Sequence, residues 1–98
     1  MAAESDVENY LRKRVKKLRG AIRKVKFINH RGAPDDLVWI PEWTRPVLVE
    51  MKAPGKPLED HQKREHARLR KMGFKVYKQD RHNRQAWFQL LKKLGKPS

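Results

Sequence analysis

An α/β arrangement, a small sheet flanked by helices, is what this sequence predicts, and three observations carry it. Apolar residues recur at helical spacing in two well-separated charged stretches and again near the end. Between them lie short runs rich in Val, Ile and aromatic residues with the period of two that suits a strand. Gly or Pro punctuates most of the boundaries, which keeps the connections short.

Taken in order, Val7, Tyr10, Leu11, Val15 and Leu18 mark one face of a first helix over about residues 4–19, with Ser5 or a neighbour as its cap and Gly20 as its stop. "AIRKVKFIN" (21–29) reads as a first strand. "HRGAP" is a turn, in which Gly32 permits positive φ and Pro34 pushes Ala33 to an extended conformation. "DLVWI" is a short buried strand, "PEWTRP" a hairpin connection and "VLVEMK" the returning strand. "APGKP" breaks the run. A basic helix follows from Leu58 to about Lys71, with His61, Glu65, Ala67, Leu69 and Met72 as its expected inner positions. "FKVYKQ" alternates as a last strand, and "NRQAWFQLLKKLG" forms a final helix that packs through Trp87, Phe88, Leu90, Leu91 and Leu94. The predicted order is α-β-β-β-α-β-α.

Ninety-eight residues suit a single domain, 1–98, with a modest core. Twenty-five Lys and Arg against 11 Asp and Glu give a net charge of +14, spread along the chain. Such a surface favours a polyanion, and nucleic acid is the commonest one. There is no cysteine, which excludes disulfides, thiolate zinc sites and a cysteine nucleophile. No apolar run approaches the roughly 20 residues that cross a bilayer, and the acidic opening "MAAESDVENY" lacks the apolar stretch of a secretory signal. The expectation is an intracellular protein with no membrane partner.

The chemistry concentrates between Arg31 and Lys52. The two strands there are joined by a short connection and should pair antiparallel. The start of one then faces the end of the other, which brings Asp35 beside Glu50. Two carboxylates meeting there repel unless a cation bridges them, and hard oxygen donors suit Mg²⁺ or Mn²⁺. Lys52, two residues beyond Glu50, points to the same face. Its ammonium can orient water or stabilise charge developing on a phosphate. Met51 faces the other way into the core, leaving its backbone carbonyl free to coordinate. Each piece has an ordinary reading too: E-x-K is commonly a solvated pair, and Asp after Pro is turn chemistry. The combination separates the readings, since G-x-P-D, two strands, E-x-K, a Pro-Gly break and a basic helix occur in that order.

"GAPD" at 32–35, "VEMKAPG" at 49–55 and Gln62 ahead of "REHARLRKMGFKVY" resemble the VRR-NUC family, a branch of the PD-(D/E)XK nucleases. The similarity runs from "ESDVENYL" to about Asp80. It implies a restriction-endonuclease-like αβββαβ core with a mixed sheet. By this resemblance Asp35 and Glu50 are metal ligands and Lys52 is the catalytic lysine. Gln62 steadies the centre or touches phosphate. A glutamate of the first helix completes the acidic site: Glu4 by its spacing ahead of Val7, with Glu8 one turn later as the fallback. Asp36, entering the sheet, should face away from Asp35. The resemblance further implies a homodimer that cuts branched DNA such as four-way (Holliday) junctions, and the short stand-alone chain suggests a phage or bacterial source.

Other residues weigh less. Arg31 and His30 precede the turn and could grip phosphate or simply be solvated. His61 and His66 are five apart, about 500° around a helix, so they do not make a shared histidine metal site. Trp39 and Trp43 suit a core or dimer contact better than base stacking. Lys13, Lys16 and Lys17, with Arg14, form the densest charge cluster, a possible phosphate track together with Lys56 and Lys63. The leading expectation is a Mg²⁺- or Mn²⁺-dependent, structure-specific endonuclease. The alternative is a non-catalytic basic protein that binds nucleic acid.

Overall fold

A computed structural model describes residues 4–53, 55–79, 85, 88, 89, 92 and 93. The element order is α1 (Glu4–Lys17), β1 (Ala21–Lys24), β2 (Asp36–Trp39), β3 (Val47–Met51), α2 (Asp60–Lys71) and β4 (Lys75–Gln79). These strands form one four-stranded sheet in the order β1-β2-β3-β4. The first three form an antiparallel meander, and β4 joins β3 in parallel after the α2 crossover. The sheet is therefore mixed, as predicted.

The alternation of strand residues divides the core in two. Val7, Leu11 and Val15 of α1 are all but fully buried against Ile22, Val38, Val47, Val49 and Met51 on one face. Each such aliphatic side chain contributes about 1.5–3 kcal/mol on burial. Trp43 and Phe88 close this cluster. On the other face α2 contributes Leu69 to a smaller cluster with Leu48 and Val76.

Three expectations need correction. The first strand stops at Lys24 instead of running to Asn29, because its partner β2 begins at Asp36, opposite Lys24; the chain then turns at the left-handed Asn29 (φ 67°). One more ladder bond, Val25 N–H to the Asp35 carbonyl (2.9 Å), carries the pairing just beyond it. At the end of α1 the left-handed residue is Arg19 (φ 61°), not Gly20. Gly20 is needed for space instead: a Cβ there would stand 2.4 Å from the Trp39 carbonyl oxygen. On α2 the buried residues are Glu65, His66 and Leu69, whereas Ala67 and Met72 are exposed. Of the two hairpin tryptophans, Trp43 is core, and Trp39 is 45% exposed with its indole N–H bonded to the Trp43 carbonyl (3.2 Å). Of the final helix, Gln85, Phe88, Gln89, Lys92 and Lys93 are helical, while Trp87, Leu90, Leu91 and Leu94 lie outside the described residues.

Candidate active site

Register decides which carboxylates meet. Asp36 pairs with Val49 across β2 and β3, so extending the antiparallel ladder by one residue sets Asp35 opposite Glu50. Directly opposed residues have Cβ atoms about 4.5–5.5 Å apart. Both side chains lie on the α2 face. Asp35 remains 56% exposed, whereas Glu50 is 7% exposed. Burial pushes the Asp35 carboxyl above its ordinary range; the Lys24 ammonium opposes this, and the charge of Glu50 adds to it.

Lys52 follows on the same face, 8% exposed. Its backbone N–H is tied to the Gln79 carbonyl at 2.8 Å, and its ammonium makes no ion pair among the described residues. Met51 is buried on the opposite face, as expected from the alternation.

The turn bearing Asp35 is clamped to α2. Gly32 has φ +92°, and a Cβ there would stand 2.7 Å from the His61 carbonyl oxygen and 3.0 Å from the Gln62 Cα. Glycine is thus required twice over, for conformation and for space. Gln62 acts in the same joint. Its Oε1 accepts the Glu59 backbone N–H (2.9 Å) in a capping box that opens α2. Gln62 therefore steadies the helix turn on which the Asp35 loop rests.

His66 was not anticipated from the sequence. It is fully buried on α2, with Nε2 3.5 Å from Glu50 Oε1, and neither ring nitrogen has a hydrogen-bond partner among the described residues. Its chain distance from Glu50 gave no hint of the contact. A buried imidazole beside a candidate metal-binding carboxylate is the signal that the folded chain adds.

Asp36 faces away from Asp35, as expected, and enters a second charged group beneath α1. Lys24 Nζ lies 2.7 Å from Glu8 Oε1, 3.3 Å from Asp36 Oδ1 and 3.9 Å from Asp35 Oδ2. Glu8 also takes Arg12 at 3.1 Å. Burial and the charge of Glu8 push Asp36 up to about 6 despite Lys24. Partial burial raises the Glu8 carboxyl, but Lys24 and then Arg12 outweigh it and leave it lowered. Lys24 is depressed by burial but raised overall by its hydrogen bond to Glu8 and by the three carboxylate charges. Glu8, the fallback metal ligand, is thus engaged with Lys24. Glu4 opens α1 one turn earlier, its side chain outside the described set. Among the described residues, no three Asp, Glu or His side chains are grouped so as to hold an ion by themselves.

The basic residues fall in separate places. Lys13, Lys16 and Lys17 are exposed toward the far end of α1, with Lys17 about 14 Å along the axis from Glu8 at 1.5 Å per residue. Arg31, Lys56 and Lys63 are exposed on the loops and helix nearer Asp35 and Lys52.

Residues 2–79 match the VRR-NUC domain. The chain belongs to the VRR-NUC family. A protein of Acyrthosiphon pisum secondary endosymbiont phage 1 named "Putative nuclease p44" is 40% identical over 73 residues, covering 74% of this chain and 77% of that one. A solved VRR-NUC domain superposes with a TM-score of 0.74 at 31% identity, covering 93% of this chain and 97% of the other. This VRR-NUC chain therefore has the fold and family of a nuclease, with nucleic acid as the implied substrate class. No helix among the described residues is long and apolar enough to cross a membrane.

Proposed function

We propose that this VRR-NUC protein is a Mg²⁺- or Mn²⁺-dependent endonuclease that hydrolyses phosphodiester bonds in branched DNA such as four-way junctions. The carrying observation is the opposition of Asp35 and Glu50 with Lys52 on the same face. Two hard-oxygen donors whose charges disfavour each other are the chemistry a small divalent cation fits. Asp35, Glu50 and the Met51 carbonyl would hold it, with Glu4 of α1 as a further ligand. When bound, the ion supplies charge neutralisation at the phosphate and makes water a better nucleophile.

The chain's own groups do the rest. Lys52, held by the β3–β4 ladder, presents an ammonium that orients the attacking water or stabilises charge growing on the phosphate. His66 packs against Glu50 and limits the positions its carboxylate can take. Gly32 and Gln62 fix the Asp35 turn to α2. The +14 surface draws the polyanion in. Two copies related by a two-fold axis would suit a junction of the same symmetry, and a homodimer is part of this reading.

Cleavage of labelled four-way junctions, forks, flaps and linear duplex with Mg²⁺, Mn²⁺ or EDTA tests it. Junction cutting that needs the ion and disappears in Lys52→Ala, while junction binding persists, is the expected result. Binding without cutting under any divalent ion would instead identify a non-catalytic nucleic-acid-binding protein.

A further inference from the structure

Beside the Asp35 turn lies a cleft of about 170 Å³ that the reading above does not use. It runs between the 29–31 loop and α2. Three guanidinium groups line it, Arg31, Arg64 and Arg68, against one carboxylate, Glu65, so it carries a net +2 with both its imidazoles neutral. At about 30 Å³ for each water of the liquid, it has room for a tetrahedral anion and part of its hydration shell.

The cleft is braced. Glu65 is 5% exposed and lies at the bottom of the cleft, with Arg68 at 3.5 Å on its own helix and His30 Nδ1 at 3.8 Å on the facing loop. The loop is shaped by the left-handed Asn29 and by the His30 N–H bonded to the Phe27 carbonyl (3.1 Å). Gly32 then presses the same loop on the first turn of α2. Arg31 and Arg64 are exposed and make no ion pair among the described residues. Two guanidinium forks with no ion-pair partner among the described residues therefore border a floor whose one carboxylate already has Arg68 at 3.5 Å. That fork matches phosphate oxygens in pairs.

We propose that this cleft is a discrete subsite for one internal phosphodiester of the substrate strand, flanking the bond that is cut. The inference rests on the nuclease reading above and deepens it. Arg31 is four residues before Asp35, so the chain between them spans at most about 14 Å. At a rise of about 3.4 Å per nucleotide along one strand, that separation corresponds to about four nucleotides, which sets the window in which the bound phosphate is sought. The cleft thus sets a local register between backbone and carboxylates, whereas the α1 lysines supply attraction at a distance.

A charge walk tests this. Single neutral methylphosphonate linkages are placed at successive positions of a labelled junction, and affinity and cleavage are measured for wild type, Arg64→Ala, Arg31→Ala and the double variant. The arginines are exposed, and thermal melts verify that the variants fold. One linkage within about four nucleotides of the cut should weaken wild-type binding roughly tenfold, the scale of a lost charge-assisted contact. The same linkage should cost each arginine variant less than it costs wild type, and should cost the Arg31→Ala/Arg64→Ala double variant less than about twofold, since both partners are then gone. A walk with no discrete position overturns the proposal, as does undiminished sensitivity at that position in both variants. If only a 5′-phosphorylated strand end restores binding, the cleft reads a terminus, and the internal-diester assignment falls. A wild type that shows the footprint but never cuts would refute the nuclease reading while leaving the subsite intact. A wild type that cuts without a footprint would do the reverse.

Discussion

The two faces of the sheet handle buried charge in opposite ways. On the α1 side, the half-exposed Lys24 ammonium sits among the carboxylates of Glu8 and the buried Asp36, at the margin of the larger apolar cluster's face. Under α2 the apolar cluster is smaller, and Glu50, Lys52 and His66 are buried without comparable neutralisation. Burying charge is costly unless it is paired. Lys24 offsets only part of that cost on the α1 face, where Asp36 is still pushed up to about 6; the α2 face, where an orphaned imidazole meets Glu50, is where the proposed chemistry sits.

The neighbouring aspartates provide the most direct attempt to break this contrast. Asp35→Asn should reduce cleavage by about 100-fold or more, the scale of a lost charge-stabilising group. Asp36→Asn, one residue on but on the other face, should retain activity within a few-fold per folded molecule. Single-turnover rates on a labelled junction decide it, and equal losses would erase the distinction. Next in size, Leu11→Ala empties the α1 side and should lower stability by about 2–5 kcal/mol. Urea titration measures this, while the folded fraction still cuts. A smaller effect, about tenfold, is expected for His66→Gln, as for other residues that orient a metal-binding carboxylate. It should fall on the divalent-ion concentration needed for cleavage and leave the urea midpoint nearly unchanged.

The smallest effect is a slope. In EDTA the folded protein keeps Asp36 protonated up to about 6, whereas the reference value is 3.8. Between those values the native state binds more protons, so stability falls as pH rises from about 4 to 6. Asp35, also raised, acts in the same direction. Glu8, lowered from 4.5, acts the other way and in a lower window: its contribution is lost as pH falls through its depressed value. Thermal melts of Asp36→Asn at half-unit steps should therefore show a flatter profile between about pH 4 and 6 than wild type.

Much of this was legible before any coordinates. Asp35, Glu50 and Lys52 could be placed because a hairpin and a period of two are local rules, and these three residues follow them. The sheet's mixed character followed from the family resemblance and is what the strands adopt. His66 escaped because its partner lies across the α2 crossover, and helical spacing says which residues share a face without saying what that face meets. Lys24 escaped for a related reason. Its place among three carboxylates depends on its register opposite Asp36, which a basic strand residue does not reveal by itself. The inner face of α2 was misjudged at Ala67 and Met72 because the helix touches the sheet along a narrow stripe, and apolar composition alone suggested a broader one.

The doubled aspartate has one more consequence. Were β2 to slide by a single position along its neighbours, Val38 and Asp36 would exchange sides with Leu37 and Asp35. A slip one way would seat Asp36 opposite Glu50 and leave Leu37 facing Lys24; a slip the other way would seat Asp35 opposite Lys24 and leave Pro34 facing Glu50. Either misalignment would thus keep one of the two charge pairings and forfeit the other, because the letters that trade places are identical.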